Sequence, residues 1–506
     1  MSKIPYNTFL WSIWSIFLIA IYYYFPFSIE DSYIVGRYAH NFAEHGALAY
    51  NIEDPISALT SPLHAILEGI LNSFFRIDPV IIWKYVSIIL LISSVFILSK
   101  LMKSQSQKIL FFSSILLTAP ILLWTVAGLE TILLLFLLSC VMYVFTENNL
   151  EQKNTLIKLG FLFGLIFLTR FDAAVFLFPL ALYIVWINRQ NISHILLFIF
   201  IPTVLISLWF SFAYFYYGHL MPTSYFSKHP SFSIKHVSTV FRGLFWIGII
   251  PLWVYFIVTK EKILKDKRYY VVVFSMLAFI AYTFTMAASH MMMSLRPLVP
   301  YLPILFILIF FMKENISKIL IIFFMLFQTI QLGAMHKYGI NFFLSELIEH
   351  RYISGKVRRN YPLEQAYINI PKYVEFMSIL KIQGKVVEDD WAKRDIDRKP
   401  IIFSVIEGAA SYGAINTYFE GPLVTLGECK IPDYIMTMHA VGAWNLTGSG
   451  YKDNPFYTTR FDYETPKYIG PNTLRDFTIA RFTDLSDSDK NIIKNRIDMC
   501  NNDKKW

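Results

Sequence analysis

Long apolar runs separated by short polar segments dominate the first two thirds of the chain. They lie near 9–27, 79–99, 109–123, 130–146, 159–169, 171–187, 193–216, 244–259, 269–288, 297–312 and 317–334. A helix needs roughly 17–25 apolar residues to cross a bilayer, so the pattern predicts an α-helical polytopic membrane protein with about eleven transmembrane helices. One run is different. In 62–76, Leu63, Ile66, Leu67, Ile70, Leu71 and Phe74 share one helical face, while His64, Glu68, Asn72 and Arg76 share the opposite one. Ser61 is a plausible N-cap and Pro62 a plausible first residue. This reads as an amphipathic helix lying on the membrane rather than a span.

The charges fit that assignment. With the N-terminus inside, segments 100–108, 147–158, 188–190, 260–268 and 313–318 are cytoplasmic, and all carry Lys or Arg. Counting 62–76 as a span would flip every later loop against the positive-inside rule. The outer side then receives 28–78, 124–130, 170–172, 217–243, 289–296 and everything after about 335. Past that point hydropathy drops, which divides the chain into a transmembrane domain, 1–338, and a soluble domain on the outer side, 339–506. Segment 399–426 alternates apolar runs with Gly/Ala turns, so this second part reads as α/β or α+β.

Composition agrees: 55% of the residues are hydrophobic and 17% aromatic, above the usual range for soluble chains. The net charge of +9 sits between apolar runs and so belongs to membrane topology, not to a nucleic-acid partner. The first apolar run has no small-residue cleavage site and reads as an anchor. Of three cysteines, Cys140 lies in an apolar run; whether Cys429 and Cys500 pair is left open by the sequence.

Unusual polar groups near the spans collect on the outer face: Glu30, Asp31, Arg37, Glu130, Arg170, Asp172, His219, Lys228, His290 and Arg296. Ionisable side chains gathered at one end of the spans mark a site. Reading 31–45 as a helix stopped by Gly46 puts Asp31 on an apolar stripe with Ile34, Val35, Tyr38 and Phe42. Glu30, Arg37, Asn41 and Glu44 fall on the wet stripe. A carboxylate on the inner stripe needs a partner or a task. The bland alternative is a capping-box-like start, Ser28-x-x-Asp31, favoured by the helix dipole. Arg170 with Asp172 also fits a local pair at a tight turn, Arg296 an interfacial anchor and His290 a packed histidine. Tyr214, Tyr216 and Tyr217 fit an interfacial belt, with Tyr217 also a candidate sugar-binding ring.

Several blocks resemble a known family. They are Asp31-Ser-Tyr-Ile-Val-Gly-Arg37-Tyr-Ala-His-Asn41, His45-Gly46-Ala-Leu-Ala-Tyr-Asn51 and Thr60-Ser-Pro62-Leu63. Ala127-Gly-Leu-Glu130-Thr131, Thr169-Arg170-Phe-Asp172, Tyr216-Tyr-Gly218 through Tyr225, and Arg296-Pro-Leu-Val-Pro300 follow in order. Together they resemble bacterial GT-C glycosyltransferases, nearest to the group containing the mycobacterial terminal arabinofuranosyltransferases. Glu407-Gly408-Ala409 through Gly427 resembles that group's soluble domain. The chain departs from the pattern at Ala58 and Leu59, where Gly and Tyr are common, and at Phe171, where Pro is usual.

The resemblance implies inverting transfer of a sugar from a polyprenyl-phosphate donor to a cell-envelope glycan or lipid-linked acceptor, on the periplasmic face of the bacterial inner membrane. It implies Asp31 as catalytic base. Arg170, Arg296, His290 and Lys228 are then candidate donor-phosphate ligands, because cations stabilise charge developing on the leaving phosphate. Glu30, Arg37, Glu130, Asp172, Tyr217 and His219 are candidate substrate-binding residues. The outer loops between the runs hold no Asp-x-Asp motif, so no metal or other cofactor is required by the sequence. The rivals are a transporter or flippase of a lipid-linked glycan, which should place polar breaks at mid-span, and a glycan-binding scaffold.

Overall fold

The computed structural model describes residues 5–223, 234–258, 266–285, 295–310, 316–338, 370–394, 396–404, 409–413, 417–420, 433–438 and 477–481, with a few positions between 483 and 494. Lys228, His290, Cys429 and Cys500 lie outside the described residues.

Helices occupy the apolar runs. They are α1 (Tyr6–Tyr24), α4 (Pro79–Ser99), α5 (Gln105–Leu116), α6 (Ala119–Val126), α7 (Thr131–Glu147), α8 (Lys153–Thr169), α9 (Ala174–Ile187) and α10 (Ile192–Tyr217). After these come α11 (Ile234–Trp246), α12 (Ile249–Val258), α13 (Lys267–Thr283), α14 (Leu302–Phe310) and α15 (Lys318–Tyr338). By length and composition α4 and α10 each suffice to cross a membrane, and α5 with α6 does so as a pair bent by 54°. Start signals are local. Asp78 caps α4 through the Ile81 amide at 3.0 Å, with Pro79 at its first position. Ser104 and Gln107 close a capping box on α5. Large apolar side chains such as Ile89, Phe96, Leu182, Phe200, Leu208, Phe215 and Phe274 point outward from these helices. That surface is costly in water and suits hydrocarbon, as expected of an integral membrane protein.

The segment after α1 folds into α2 (Glu30–His45) and α3 (Pro62–Phe75). Gly46 ends α2 with φ 68°, the left-handed conformation that glycine adopts most readily. Ile29 is the N-cap of α2 and makes no side-chain cap, so the capping-box alternative for Ser28 and Asp31 does not describe this helix start. Nor does α2 keep the wet stripe its spacing implied. Arg37 and Asn41 are buried, and the Asp31 side chain is 49% exposed. The reason is tertiary: α2 packs against α3, α4 and a later helix, and its polar side chains satisfy backbone carbonyls. Asn41 donates to Ala49 at 2.8 Å and Tyr50 at 3.0 Å.

The amphipathic helix α3 is likewise turned about. His64, Glu68 and Asn72 point into the protein, while Phe74 and Phe75 face outward. His64 and Glu68 pair at 3.2 Å with no exposure, and the His64 ring lies 4.3 Å from that of Trp83. Burial pushes the Glu68 carboxyl up, and His64 offsets part of this.

After α15 come α16 (Ile370–Trp391), β1 (Ile401–Ser404), α17 (Ala409–Gly413), β2 (Tyr418–Glu420), β3 (Tyr434–Met438) and β4 (Phe477–Arg481). The strands form one sheet ordered β2-β1-β3-β4. β1 runs parallel to both β2 and β3, with Ile402 opposite Phe419 and Tyr434, and β4 is antiparallel to β3. This part docks on α2. Arg37 donates to the Ser411 and Thr417 carbonyls, both at 2.6 Å, and to Tyr50 at 2.9 Å. Lys381 stands 4.2 Å over the Tyr33 ring, and Lys399 pairs with Glu53 at 2.7 Å.

Removing one member of a buried polar pair strands the other without a partner. His64→Leu alone should lower stability by about 1–3 kcal/mol, and adding Glu68→Met should recover most of it. Melting of the purified protein in detergent measures both; equal losses would contradict the pairing.

Candidate active site

The site is built where four segments meet. The first is the start of α2. Its approach to the second, the turn 127–130, depends on Gly128. Gly128 has φ 81°, and a Cβ there would stand 2.9 Å from that of Ser32. The Ile29 amide donates to the Ala127 carbonyl at 3.1 Å, and Trp83 Nε1 to Leu129 at 3.0 Å. Glu130, at the N-cap of α7, is thereby fixed beside the first turn of α2. The third segment is the short turn 170–173 between α8 and α9. The fourth is Leu295–Arg296, at the approach to α14. Leu295 has φ 57°, a region an L side chain rarely adopts, and it packs so closely on Gly243 that a Cβ there would lie 2.5 Å from it. The strained turn presents Arg296.

These segments assemble a chain of charges. Arg170 grips Asp172 with both ends of its fork, Nε to Oδ1 at 2.9 Å and Nη2 to Oδ2 at 2.6 Å. Its Nη1 donates to Glu130 Oε1 at 2.8 Å. Arg296 Nη2 lies 4.0 Å from the same Glu130 oxygen, and its Nη1 donates to Asp31 Oδ2 at 2.8 Å. The chain thus runs Asp172, Arg170, Glu130, Arg296, Asp31. Its members differ in exposure: the Glu130 side chain is 3% exposed, and that of Asp31 is 49%. Burial alone would raise the Glu130 carboxyl, but Arg170 and then Arg296 outweigh it and hold the group below its usual range. Burial opposes charge on Arg170 as well, yet Asp172 and Glu130 keep it firmly protonated.

So Asp31, Glu130, Arg170, Asp172 and Arg296 come together from positions as far as 265 residues apart. Glu30 opens α2 next to them and is partly exposed. Arg37 is spent on three backbone carbonyls. Tyr217 is buried with its hydroxyl on the Leu48 carbonyl at 2.6 Å, tying α10 to the stretch between α2 and α3. His219 lies 6.4 Å ring to ring from Tyr217, and its Nε2 is buried without a hydrogen-bond partner among the described residues.

Other residues near the site escaped the sequence reading. The Trp124 ring supports Arg296 at 5.3 Å, and its indole N–H is buried without a partner among the described residues. The Tyr301 hydroxyl is in the same condition. Lys84 donates to the Phe25 and Phe27 carbonyls, both at 2.7 Å, and so anchors the exit of α1. Only Lys84 had a signal, a lone cation inside an apolar run.

Two solved structures share this fold. ArnT from Cupriavidus metallidurans bound to undecaprenyl phosphate matches with TM-score 0.51 and 13% identity, over 81% of this chain and 75% of that one. The apo form of the same protein matches with TM-score 0.53 and 11% identity, over 81% of this chain and 85% of that one. No family model and no curated protein matches the sequence. At such identity the likeness is one of fold, and the fold is that of ArnT.

The depressed Glu130 carboxyl gives a pH signature. Because its folded-state value lies below the ordinary one, its stabilisation is complete above about pH 4.3 and is lost as pH falls through the lower value. Melting temperatures of wild type and Glu130→Gln should differ fully at neutral pH and converge below about pH 4. A constant gap down to pH 3 would contradict it.

Proposed function

We propose that the chain is an integral membrane glycosyltransferase that moves a sugar from a polyprenyl-phosphate donor to a cell-envelope glycan or lipid-linked acceptor. In this reading about eleven helices span the bacterial inner membrane, and the active site and C-terminal domain stand on the periplasmic side. The observation that carries it is the Asp31–Arg296 pair at 2.8 Å within the cluster at the helix ends. It places a half-exposed carboxylate and a cation side by side at one end of the apolar helices. The fold supports it too, since its ArnT counterpart was captured with undecaprenyl phosphate.

The chemistry asks little of the protein. An acceptor hydroxyl is a poor nucleophile at neutral pH, so Asp31 takes its proton as the oxygen attacks the anomeric carbon. The bond from that carbon to the phosphate oxygen breaks, and its electron pair leaves with the polyprenyl phosphate. One displacement inverts the anomeric configuration. Arg296, with Lys228 and His290, meets the charge that develops on the leaving phosphate. Arg170 is committed to Asp172 and Glu130, so its part is to fix the Glu130 carboxylate that faces Arg296. The narrower likeness to arabinofuranosyltransferases rests on the first-segment sequence block.

Asp31→Asn should reduce transfer from a radiolabelled polyprenyl-phosphate sugar in membranes by about 10²–10⁴-fold, the usual weight of general-base catalysis. Glu30→Gln should cost far less. Near-wild-type activity of Asp31→Asn would remove it as base. Topology reporters in the loop holding Lys262 and Lys265, and near Pro400, should label opposite sides of the membrane; the same side would overturn the site's placement.

A further inference from the structure

The charges of the site do not share their partners equally. Among the described residues, the cluster sets three carboxylates, Asp31, Glu130 and Asp172, against two guanidiniums, Arg170 and Arg296. Arg170 is saturated: two of its nitrogens hold Asp172 and the third holds Glu130. Arg296 is held more loosely. One nitrogen donates to Asp31, a second stands 4.0 Å from Glu130, and the buried Nε has no hydrogen-bond partner among the described residues. Its guanidinium rests on the face of Trp124, which supports the group without using its N–H donors. A cation with an idle buried donor, ion-paired to a half-exposed carboxylate, is the member of the cluster free to change partner.

Such a pairing sits badly with the task assigned to Asp31. A guanidinium at hydrogen-bond distance stabilises the carboxylate and weakens it as a base. A planar guanidinium also prefers a phosphate, which offers several charged oxygens to its fork.

We propose that Arg296 is a partner-exchanging latch. Without donor it holds Asp31 and blunts its basicity; when the lipid phosphate arrives, the guanidinium turns to the phosphate oxygens and releases Asp31 for the acceptor hydroxyl. This rests on reading the chain as a lipid-phosphate sugar transferase. No atoms are exchanged at the latch: one N–H···O contact replaces another. The proton still passes from acceptor oxygen to Asp31, and the bonding pair still leaves with the phosphate. The device ties activation of the base to occupancy by the donor, so that water entering an unfilled site meets a weak base.

If Asp31 and phosphate compete for Arg296, removing Asp31 strengthens phosphate binding, and does so only while Arg296 is present. The probe is undecaprenyl phosphate, titrated into the full-length protein in detergent and followed by native mass spectrometry. Asp31→Asn should tighten binding roughly tenfold, the weight of one hydrogen bond to a charged group. In an Arg296→Gln background the same substitution should change binding less than about twofold. Glu44→Gln, which removes a charge from the far end of α2, should also have little effect. Equal tightening by Asp31→Asn in both backgrounds would mean simple charge repulsion and would overturn the latch. Unchanged or weaker binding would overturn it as well, leaving the transferase reading intact. Absence of saturable binding in wild type and every variant would overturn the reading and the latch together.

Discussion

Burying charge in or near hydrocarbon is costly unless each charge finds an opposite one with good hydrogen-bond geometry, and the centre of this protein is organised around that demand. Arg170 meets it most completely. Its planar fork matches the Asp172 carboxylate at two points and still reaches Glu130. With Glu130 fixed, Arg296 has a carboxylate to face on its inner side and can extend its other edge toward Asp31. Removing Arg170 would strand two carboxylates and loosen the seat of Arg296. The geometry proposed for proton transfer therefore depends on a residue that need not touch substrate.

A second constraint is the backbone between α1 and α3. It runs close to apolar helices, where unpaired carbonyls are expensive. The chain answers with long polar side chains aimed at carbonyls: Lys84 at Phe25 and Phe27, Arg37 at Tyr50, Ser411 and Thr417, and Tyr217 at Leu48. These contacts draw α1, α2, α4, α10 and the stretch around α17 together. Lys84 fixes the approach to the Asp31 end of α2, while Arg37 and Tyr217 fasten its middle and the stretch beyond Gly46. They also couple the C-terminal sheet to the membrane part through Arg37, which makes that residue a fastener rather than a group left free for ligand.

Hydropathy carried much of the architecture. The apolar runs coincide with helices because a buried or lipid-facing helix must be apolar all round, a pattern that survives any tertiary arrangement. Gly46 marked the end of α2, since its left-handed conformation is a local requirement. Helical faces were harder to read. Spacing divided α3 correctly into an apolar and a polar side, yet the polar side, with His64 and Glu68, turned inward, while Ile70 and Phe74 of the apolar side face outward. A periodic pattern gives two faces; it does not say whether water, lipid or protein lies beyond each. The same ambiguity placed Arg37 and Asn41 on a wet stripe, when other elements in fact cover them.

The candidate site divides in the same way. Residue type and membrane sidedness nominated Asp31, Glu130, Arg170, Asp172 and Arg296, because ionisable side chains at the ends of apolar runs have few other reasons to be there. Trp124 and Tyr301 gave no such sign, being ordinary residues of apolar segments until a guanidinium or an unfilled hydroxyl stands beside them. Helix positions, the stop at Gly46 and the set of charged candidates were thus determined by the sequence alone, since each follows from local chemistry or from solvent preference. Which charge pairs with which was decided by the tertiary structure. Asp31 and Arg296 are 265 positions apart, and only the packing of α2, α7 and the strained turn at Leu295 brings them within 2.8 Å.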